Sequence, residues 1–287
     1  MSSGIEFLST ELTVPGLQRT IRIAQVTDAH LCECDDRDPH QREYLRGLNH
    51  KLGGKARYYF DLVFAELSGM NLDFIALTGD QMNSPTQANW DALTEKLRTL
   101  SVPYGLTFGN HDWDWPEGGT YERRPTYRSD WWQKHSSVLD KTPSFEVFSV
   151  SGVNLVFLDN SDYQVSDEQL AKLKAIETAN VPSLLFFHIP VSVPSLRPAT
   201  IVKWGFPILC GETEWKAEDK DRWSLMPYDY ESTGRFYRHI SQTRAFEAVF
   251  SGHLHLTSDD VLPSGVRQFV TPALYDGFAR IITLKPA

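Results

Sequence analysis

Short, continuous apolar runs recur along the chain, and each ends abruptly in polar residues. A strand that is covered on both faces carries apolar side chains on both, so it forms a continuous run rather than an alternating one. We therefore predict six central strands of a covered sheet, within residues 20–30, 72–81, 102–112, 153–162, 181–190 and 244–255.

Segments with helical periodicity lie between these runs, at about 41–69, 86–100, 129–139 and 166–179. The last has the clearest start, because Ser166 stands at the N-cap position and Gln169 at the capping-box position. Strands that alternate with helices predict an α/β fold or a helix-flanked sandwich. The segment 265–284 contains strands and turns without a helix, and we expect that part of the sheet to be antiparallel.

Two long segments, 113–132 and 191–233, do not fit this alternation. Loops of this length in a compact domain are usually lids or binding loops. Arginines in the first could hold a phosphate, and aromatic rings in the second could stack on a base or sugar. A solvated loop and a lid packed against the domain explain them equally well. The residues are Arg123, Arg124, Arg128, Trp204, Trp215, Trp223, Tyr228 and Tyr230.

Composition limits the classes of function. With 287 residues and 41% hydrophobic content, the chain is long enough for one large core, and we expect a single domain over 1–287. The net charge of -9 disfavours nucleic-acid and membrane-surface partners, since both reward a basic face. Three cysteines and the lack of an apolar leader at the N-terminus predict a cytoplasmic protein without disulfides.

Polar residues with metal-binding chemistry collect where the predicted strands end. In α/β sheets the loops beyond the carboxyl ends of strands form the ligand crevice. Carboxylate, imidazole and amide groups suit divalent Mn, Fe, Zn, Ni or Co, and the absence of cysteine argues against a closed structural zinc site. Seven candidate ligands are enough for two ions that share a carboxylate. They are Asp28, His30, Asp80, Asn110, His188, His253 and His255.

Each motif alone has a simpler explanation, because an Asp or His after a strand is most often a turn, cap or packing residue. "GNHD" (109–112) and "GHLH" (252–255) are stronger signals, since a turn does not need the extra polar residues. In an extended segment His253 and His255 would point the same way. The glycines before Asp80, Asn110 and His253 would let the backbone turn sharply and bring each ligand inward.

The ordered set "DAH", "GDQ", "GNHD", "FFHIP" and "GHLH", spanning residues 28–255, resembles the calcineurin-like metallophosphoesterase superfamily. The resemblance implies a four-layer α/β/β/α sandwich with mixed sheets and a dinuclear metal centre. It implies that Asp80 bridges the two ions. The first ion would be held by Asp28, His30, Asp80 and His255, and the second by Asp80, Asn110, His188 and His253.

The resemblance also implies an activity, the hydrolysis of small-molecule phosphate mono- or diesters. A hydroxide bridging the two ions would attack phosphorus in line, since a single zinc ion lowers the pKa of bound water from about 15.7 to about 7. His111 would stabilise developing charge or protonate the leaving oxygen, and Asp112 would orient His111 through its other ring nitrogen.

Departures from the family pattern narrow the subgroup. The second motif reads "GDQMNSP" (79–85), without the arginine of serine/threonine protein phosphatases, and Asn83 stands where purple acid phosphatases place a tyrosine ligand. The chain resembles bacterial-type phosphoesterases and phosphodiesterases more closely.

Two alternative functions stay open, a non-catalytic scaffold for protein binding and a nuclease of the same superfamily. The complete ligand set disfavours the first, and the acidic charge disfavours the second.

Overall fold

A computed structural model describes residues 4–113, 129–130, 133, 144–212 and 231–287. Its strands are β1 (Glu6–Val14), β2 (Ile21–Val26), β3 (Phe74–Thr78), β4 (Tyr104–Thr107), β5 (Phe145–Val150), β6 (Val153–Leu158), β7 (Ser183–Phe186), β8 (Ala248–Ser251), β9 (Ser258–Val261), β10 (Arg267–Val270) and β11 (Phe278–Pro286). Its α-helices are α1 (Arg42–Lys51), α2 (Ala56–Ser68), α3 (Gln87–Thr99), α4 (Asp167–Thr178), α5 (Arg197–Trp204) and α6 (Glu231–Ile240).

The strands form two mixed sheets. The first has the order β1–β11–β2–β3–β4, in which β2, β3 and β4 are parallel and β11 is antiparallel to β2 but parallel to β1. The second has the order β5–β6–β7–β8–β10–β9, with four parallel central strands between antiparallel edges. Residues that follow the parallel strands therefore meet at one edge of each sheet.

Three apolar layers hold the fold together. The layer between the sheets contains four stacked rings from four adjacent strands, which we call the phenylalanine layer: Phe157, Phe186, Phe250 and Phe269. Successive ring centroids are 4.9, 5.4 and 5.1 Å apart. Helices α2 and α3 cover the outer face of the first sheet, and α4 and α6 cover that of the second. The predicted four-layer sandwich is confirmed.

Most predicted elements are confirmed, since all six covered strands are present and α4 has the expected capping box of Ser166 and Gln169. The helix predicted over 41–69 is wrong as a single element. It is two helices, because Gly53 and Gly54 adopt left-handed conformations with φ of +78° and +70° and end the first one.

The prediction of an antiparallel C-terminal region is only partly right. Strands β10 and β11 lie in different sheets, and each has one parallel and one antiparallel neighbour. Segment 191–233 is not one loop, since it contains α5 and the start of α6. Residues 213–230, most of segment 113–132 and most of the helix predicted at 129–139 lie outside the described residues.

The three cysteines, Cys32, Cys34 and Cys210, are free thiols. Among the described ranges, no helix combines the length and apolar character that crossing a membrane requires.

Candidate metal centre

Six of the seven predicted ligands converge beyond the ends of β2, β3, β7 and β8, so strands from both sheets contribute. Two groups have potential ligand atoms that all lie within 4.8 Å of one another, and Asp80 belongs to both. The first group is Asp28, His30, Asp80 and His255, and the second is Asp80, His188 and His253.

Asp80 stands between the two groups. Its Oδ2 lies 3.7 Å from His30 Nε2 and 3.1 Å from His188 Nε2. In the first group, Asp28 Oδ1 lies 3.7 Å from His30 Nε2 and 3.1 Å from His255 Nε2. One carboxylate oxygen therefore faces a histidine of each group, which is the arrangement expected of a bridging ligand.

Each of the four histidines has one ring nitrogen held by a partner outside the two groups. Such outer contacts fix the orientation and tautomer of a metal-binding imidazole. The contacts are His30 Nδ1 to Asn83 Oδ1 at 3.0 Å, His188 Nδ1 to the Thr78 carbonyl at 2.8 Å, His253 Nε2 to the Tyr163 hydroxyl at 2.9 Å and His255 Nδ1 to the Tyr275 hydroxyl at 2.9 Å. The other nitrogen of each ring is the one that could bind a metal ion.

The donor set fits divalent cations. In the part of the chain that the structure describes, His188 Nε2 is buried without a hydrogen bond, and its near neighbour is Asp80 Oδ2. A buried polar atom without a hydrogen bond is costly unless something unaccounted for binds it. Buried carboxylates and imidazoles without cysteine suit the borderline ions from Mn to Zn.

Electrostatics keep the two carboxylates ionised. Burial opposes charge on Asp28, but His255 and His30 outweigh it and lower the pKa of Asp28 well below its usual value. Burial is likewise outweighed at Asp80, where His188 and His111 lower the pKa. Because a metal ligand must be deprotonated, both carboxylates are ready to bind a cation at neutral pH.

The histidines divide into two kinds. Burial alone would lower the pKa of His188, but the Asp80 carboxylate outweighs it and raises that pKa to about 9. Burial lowers the pKa of His253, and it lowers the pKa of His255 although Asp28 acts in the opposite direction. Asp28 and Asp80 likewise outweigh burial at His30 and raise its pKa. His188 and His30 are therefore the histidines whose protons a cation would have to displace.

The backbone at the site is strained. Among the described residues, eight non-glycine residues have a positive φ. Five of them are candidate ligands: Asp28 at 54°, His30 at 48°, Asp80 at 50°, His253 at 69° and His255 at 52°. This left-handed region is sparsely populated by residues with a side chain, and such strain clusters at functional sites.

The left-handed backbone corrects the expectation for "GHLH". The segment is not extended, because β8 ends at Ser251 and Leu254 N donates to the Gly252 carbonyl at 2.8 Å. A tight turn, rather than strand geometry, brings His253 and His255 to the same centre. Leu254 between them is fully buried in the apolar layer of the second sheet.

Two glycines are required by close approach rather than by turning. A Cβ on Gly109 would lie 2.1 Å from Asp80 Oδ1, and a Cβ on Gly252 would lie 2.0 Å from Thr27 Oγ1. Neither glycine has a positive φ, whereas Gly79 has one of 88°. The sequence-based expectation of a sharp turn therefore holds for Gly79. Gly109 makes room for the Asp80 side chain, and Gly252 makes room for the side chains of Thr27 and Asp28.

Comparison with known proteins identifies the family. The family model described as calcineurin-like phosphoesterase matches residues 21–256, which is most of the chain. The chain belongs to the calcineurin-like phosphoesterase family. A curated relative from Fibrobacter succinogenes, named "Probable cyclic nucleotide phosphodiesterase", is 22% identical over 243 residues, which are 83% of this chain and 74% of that protein.

Two solved structures share the calcineurin-like phosphoesterase fold with this chain. A dimetal phosphatase from Danio rerio aligns with a TM-score of 0.52 and 12% identity, and the match covers 90% of this chain and 89% of that one. The purple acid phosphatase PPD1 of yellow lupin, Lupinus luteus, aligns with a TM-score of 0.55 and 15% identity over 92% of this chain and 45% of that one. At these identities the likeness concerns the fold alone.

In this member of the family, the turn after β4 carries Asn110, His111 and Asp112. The His111 N–H donates to Asp80 Oδ1 at 2.8 Å, and the His111 ring centroid lies 4.9 Å from that of His30. This contact places the turn against the bridging carboxylate. Asn110 precedes His111 in the same partly exposed turn, so an amide ligand in this position stays a prediction.

The role predicted for Asp112 is not the one its contacts support. Asp112 Oδ2 accepts a hydrogen bond from the Gly109 N–H at 2.8 Å, and Oδ1 accepts one from the Met82 N–H at 3.1 Å. Within the described residues, no hydrogen bond joins Asp112 to the His111 ring. Asp112 therefore ties the turn after β4 to the segment after β3, because both of its oxygens are used by backbone amides.

The outer partners of the histidines were missed by sequence reasoning. No motif marks Tyr163 or Tyr275, and each contacts a histidine far away in the chain, across 90 and 20 residues. Asn83 lies in the second motif, and this position could have indicated its role. From the sequence alone, it showed only that the tyrosine ligand of purple acid phosphatases is absent. Burial raises the pKa of Tyr275, with Asp276 and Asp28 acting in the same direction.

Helix α5 borders the candidate centre on the side of His255. The Trp204 and His255 ring centroids are 5.2 Å apart, and Trp204 Nε1 donates to the Leu254 carbonyl at 3.1 Å. Lys203 Nζ donates to the His255 carbonyl. Trp204 therefore packs against the "GHLH" turn. The other candidate residues of the two long segments, four aromatic and three arginine, lie outside the described residues: Trp215, Trp223, Tyr228, Tyr230, Arg123, Arg124 and Arg128.

Proposed function

We propose that the protein is a dinuclear metal-dependent phosphoesterase that hydrolyses small-molecule phosphate mono- or diesters. The observation that carries the proposal is the sharing of Asp80 between two groups of ligand atoms. Two bound divalent ions would supply Lewis acidity, which lowers the pKa of water and neutralises negative charge on a phosphoryl group.

The residues would divide between the ions as the family pattern implies. Asp28, His30 and His255 would hold the first ion with Asp80, and His188 and His253 would hold the second with Asp80. Asn110 would add an amide oxygen to the second set. The short distances from Asp80 Oδ2 to His30 and His188 support this division.

His111 would act on the substrate rather than on an ion. Burial lowers the pKa of His111 to about 4, so its imidazole is neutral at neutral pH before a substrate arrives. A neutral imidazole can donate a hydrogen bond to a phosphoryl or leaving oxygen, and a nearby phosphate anion would favour its protonation. The backbone bond from His111 to Asp80 fixes its position relative to the centre.

The relative from Fibrobacter succinogenes, by its name, supports including phosphodiesters among the substrates. The two alternatives have less support. A non-catalytic scaffold would not need strained ligands that converge on one carboxylate, and a nuclease would be expected to carry a basic face, which a net charge of -9 disfavours.

The test is to measure metal content and hydrolysis on the same preparations. We expect wild-type protein supplied with Mn²⁺ to bind two ions per chain and to hydrolyse p-nitrophenyl phosphate, bis-p-nitrophenyl phosphate or both. Asp80→Asn should lose bound metal and turnover. Asp36→Asn is the matched control, because that carboxylate is 97% exposed and outside both groups.

Wild-type protein that binds none of Mn, Fe, Zn, Ni or Co and hydrolyses neither ester would overturn the proposal in favour of the scaffold. Equal turnover in wild type and Asp80→Asn would also overturn it, since the shared carboxylate would then be dispensable.

A further inference from the structure

Tyr275 lies beside the first ligand group of the candidate centre. It belongs to the short 3-10 turn Leu274–Asp276 between β10 and β11, and its backbone N–H donates to the Asp28 carbonyl at 3.3 Å. Its ring centroid is 5.1 Å from that of His255 and 5.5 Å from that of His30. The side chain is only partly buried, so it borders both the ligands and the solvent.

The hydrogen bond between Tyr275 and His255 can run in either direction. Without a cation, His255 Nε2–H can donate to Asp28 Oδ1 at 3.1 Å, and Nδ1 then accepts from the Tyr275 hydroxyl at 2.9 Å. A neutral imidazole has one N–H and one lone pair. A cation that uses the Nε2 lone pair leaves the hydrogen on Nδ1, and His255 then becomes the donor.

This reversal changes what the Tyr275 hydroxyl can do. Once its oxygen accepts from His255, its own hydrogen needs another acceptor. Among the residues that the structure describes, the Tyr275 hydroxyl has no hydrogen-bond partner except His255. A phenol beside a phosphate-binding centre, with a free hydrogen and access to solvent, is placed to donate to an anionic oxygen.

We propose that Tyr275 is a substrate-binding residue whose hydroxyl accepts from His255 Nδ1–H and donates to a phosphoryl oxygen of the bound ester. The proposal rests on the proposed function, because the direction of the bond depends on a cation at His255 Nε2. Tyr275 would thus link the binding of a cation by His255 to the binding of phosphate.

Tyr163 offers a matched control. Its hydroxyl lies 2.9 Å from His253 Nε2, so it makes the same kind of contact to the other histidine of "GHLH". However, Tyr163 is 7% exposed and packs within the apolar layer of the second sheet. Tyr163 is therefore a positioning residue for His253. It lacks the exposure to solvent that contact with a substrate needs.

The experiment compares Tyr275→Phe with Tyr163→Phe. Each removes one hydroxyl and one outer contact to a histidine, so each should weaken Mn²⁺ binding by about 10- to 100-fold in equilibrium dialysis. At saturating Mn²⁺, inorganic phosphate is titrated calorimetrically. We expect phosphate affinity to fall about tenfold in Tyr275→Phe and by less than about twofold in Tyr163→Phe, because only Tyr275 loses a hydrogen bond to the anion.

Phosphate affinity in Tyr275→Phe equal to that of wild type would overturn the inference. Equal losses in both variants would overturn it as well, because the effect would then arise through the histidines. If wild type binds Mn²⁺ and phosphate but hydrolyses no ester, the proposed function fails, and the difference between the variants still supports the role of Tyr275. Wild type that binds no Mn²⁺ overturns both.

Discussion

The phenylalanine layer and the candidate metal centre share strands β7 and β8 and are both buried, but they differ in polarity and in backbone conformation. The four rings of the layer, one each from β6, β7, β8 and β10, are apolar, stacked and fully or almost fully buried. Two residues beyond the ends of β7 and β8 stand the ionisable side chains of His188 and His253, and the two histidines of "GHLH" adopt left-handed conformations. The strand interiors stabilise the fold, and the strand ends carry the chemistry.

The difference has a free-energy side. A non-glycine residue in the left-handed region costs on the order of 1 to 3 kcal/mol, and the site has five of them. Such strain persists only where surrounding structure enforces it, and backbone hydrogen bonds contribute here: Asp28 donates to the Gly79 carbonyl and His30 to the Asp80 carbonyl, each at 3.0 Å. Bound cations would offset the strain at the site itself. We therefore expect loss of a buried ring to affect mainly the stability of the fold, and changes at the site to affect mainly metal binding and activity.

The largest effect on stability should come from the phenylalanine layer. Phe157→Ala removes a ring that stacks on Phe186 and leaves a cavity between the sheets, which should lower the free energy of unfolding by about 3 to 5 kcal/mol. Urea denaturation of the metal-free protein measures it, with Tyr58→Ala on the half-exposed face of α2 as the control. Metal stoichiometry should not change. A loss below 1 kcal/mol would contradict the assignment of this layer as the main support.

A change at the site should affect activity instead of stability. His111→Ala should lower kcat by about 10²- to 10⁴-fold, the usual contribution of a group that donates to the reacting oxygens. Bound Mn²⁺, measured by metal analysis of the purified variant, should equal that of wild type. If metal is lost in parallel with activity, His111 is a ligand and its separation from both groups is wrong.

Cations bound at the site should stabilise the folded domain, and only through the intact ligand set. A ligand that binds only the native state at 100 times its Kd adds about 2.7 kcal/mol to the free energy of unfolding. We expect Mn²⁺ to produce a shift of this order in wild type and in Phe157→Ala, as seen in urea midpoints with and without the ion. The shift should be absent in Asp80→Asn, and an undiminished shift there would show that the ion binds elsewhere.

The smallest effect should be a pH dependence of the metal-free protein. The pKa of His188 is raised from 6.5 to about 9, so its stabilising contribution is present below pH 6.5 and is lost as the pH rises through about 9. We expect the free energy of unfolding to fall progressively as the pH rises from 6.5 to 9.5. His188→Gln should flatten that slope, and an equal slope in the variant would assign it to other groups.

The same contrast explains what could be predicted from the sequence. Covered strands and their polar ends were predictable, because continuous apolar runs and the residues that close them are local signals. The strands β1 and β5 were missed, since most of their side chains are exposed or only partly buried and neither strand forms a continuous apolar run. Tyr163, Tyr275 and the hydrogen bonds of Asp112 were also missed, because they depend on contacts between segments that approach only in the folded chain.

Strand β11 has a consequence for how the molecule is made. It lies between β1 and β2, so the first two strands of the chain are never neighbours and are joined only through residues 278–286. During synthesis β1 and β2 cannot be joined in one sheet until residues 278–286 have been made, because β11 supplies the pairing to both. Until then β1 and the free edge of β2 are exposed to other chains, and chaperone binding to the N-terminal region should last until β11 has been translated.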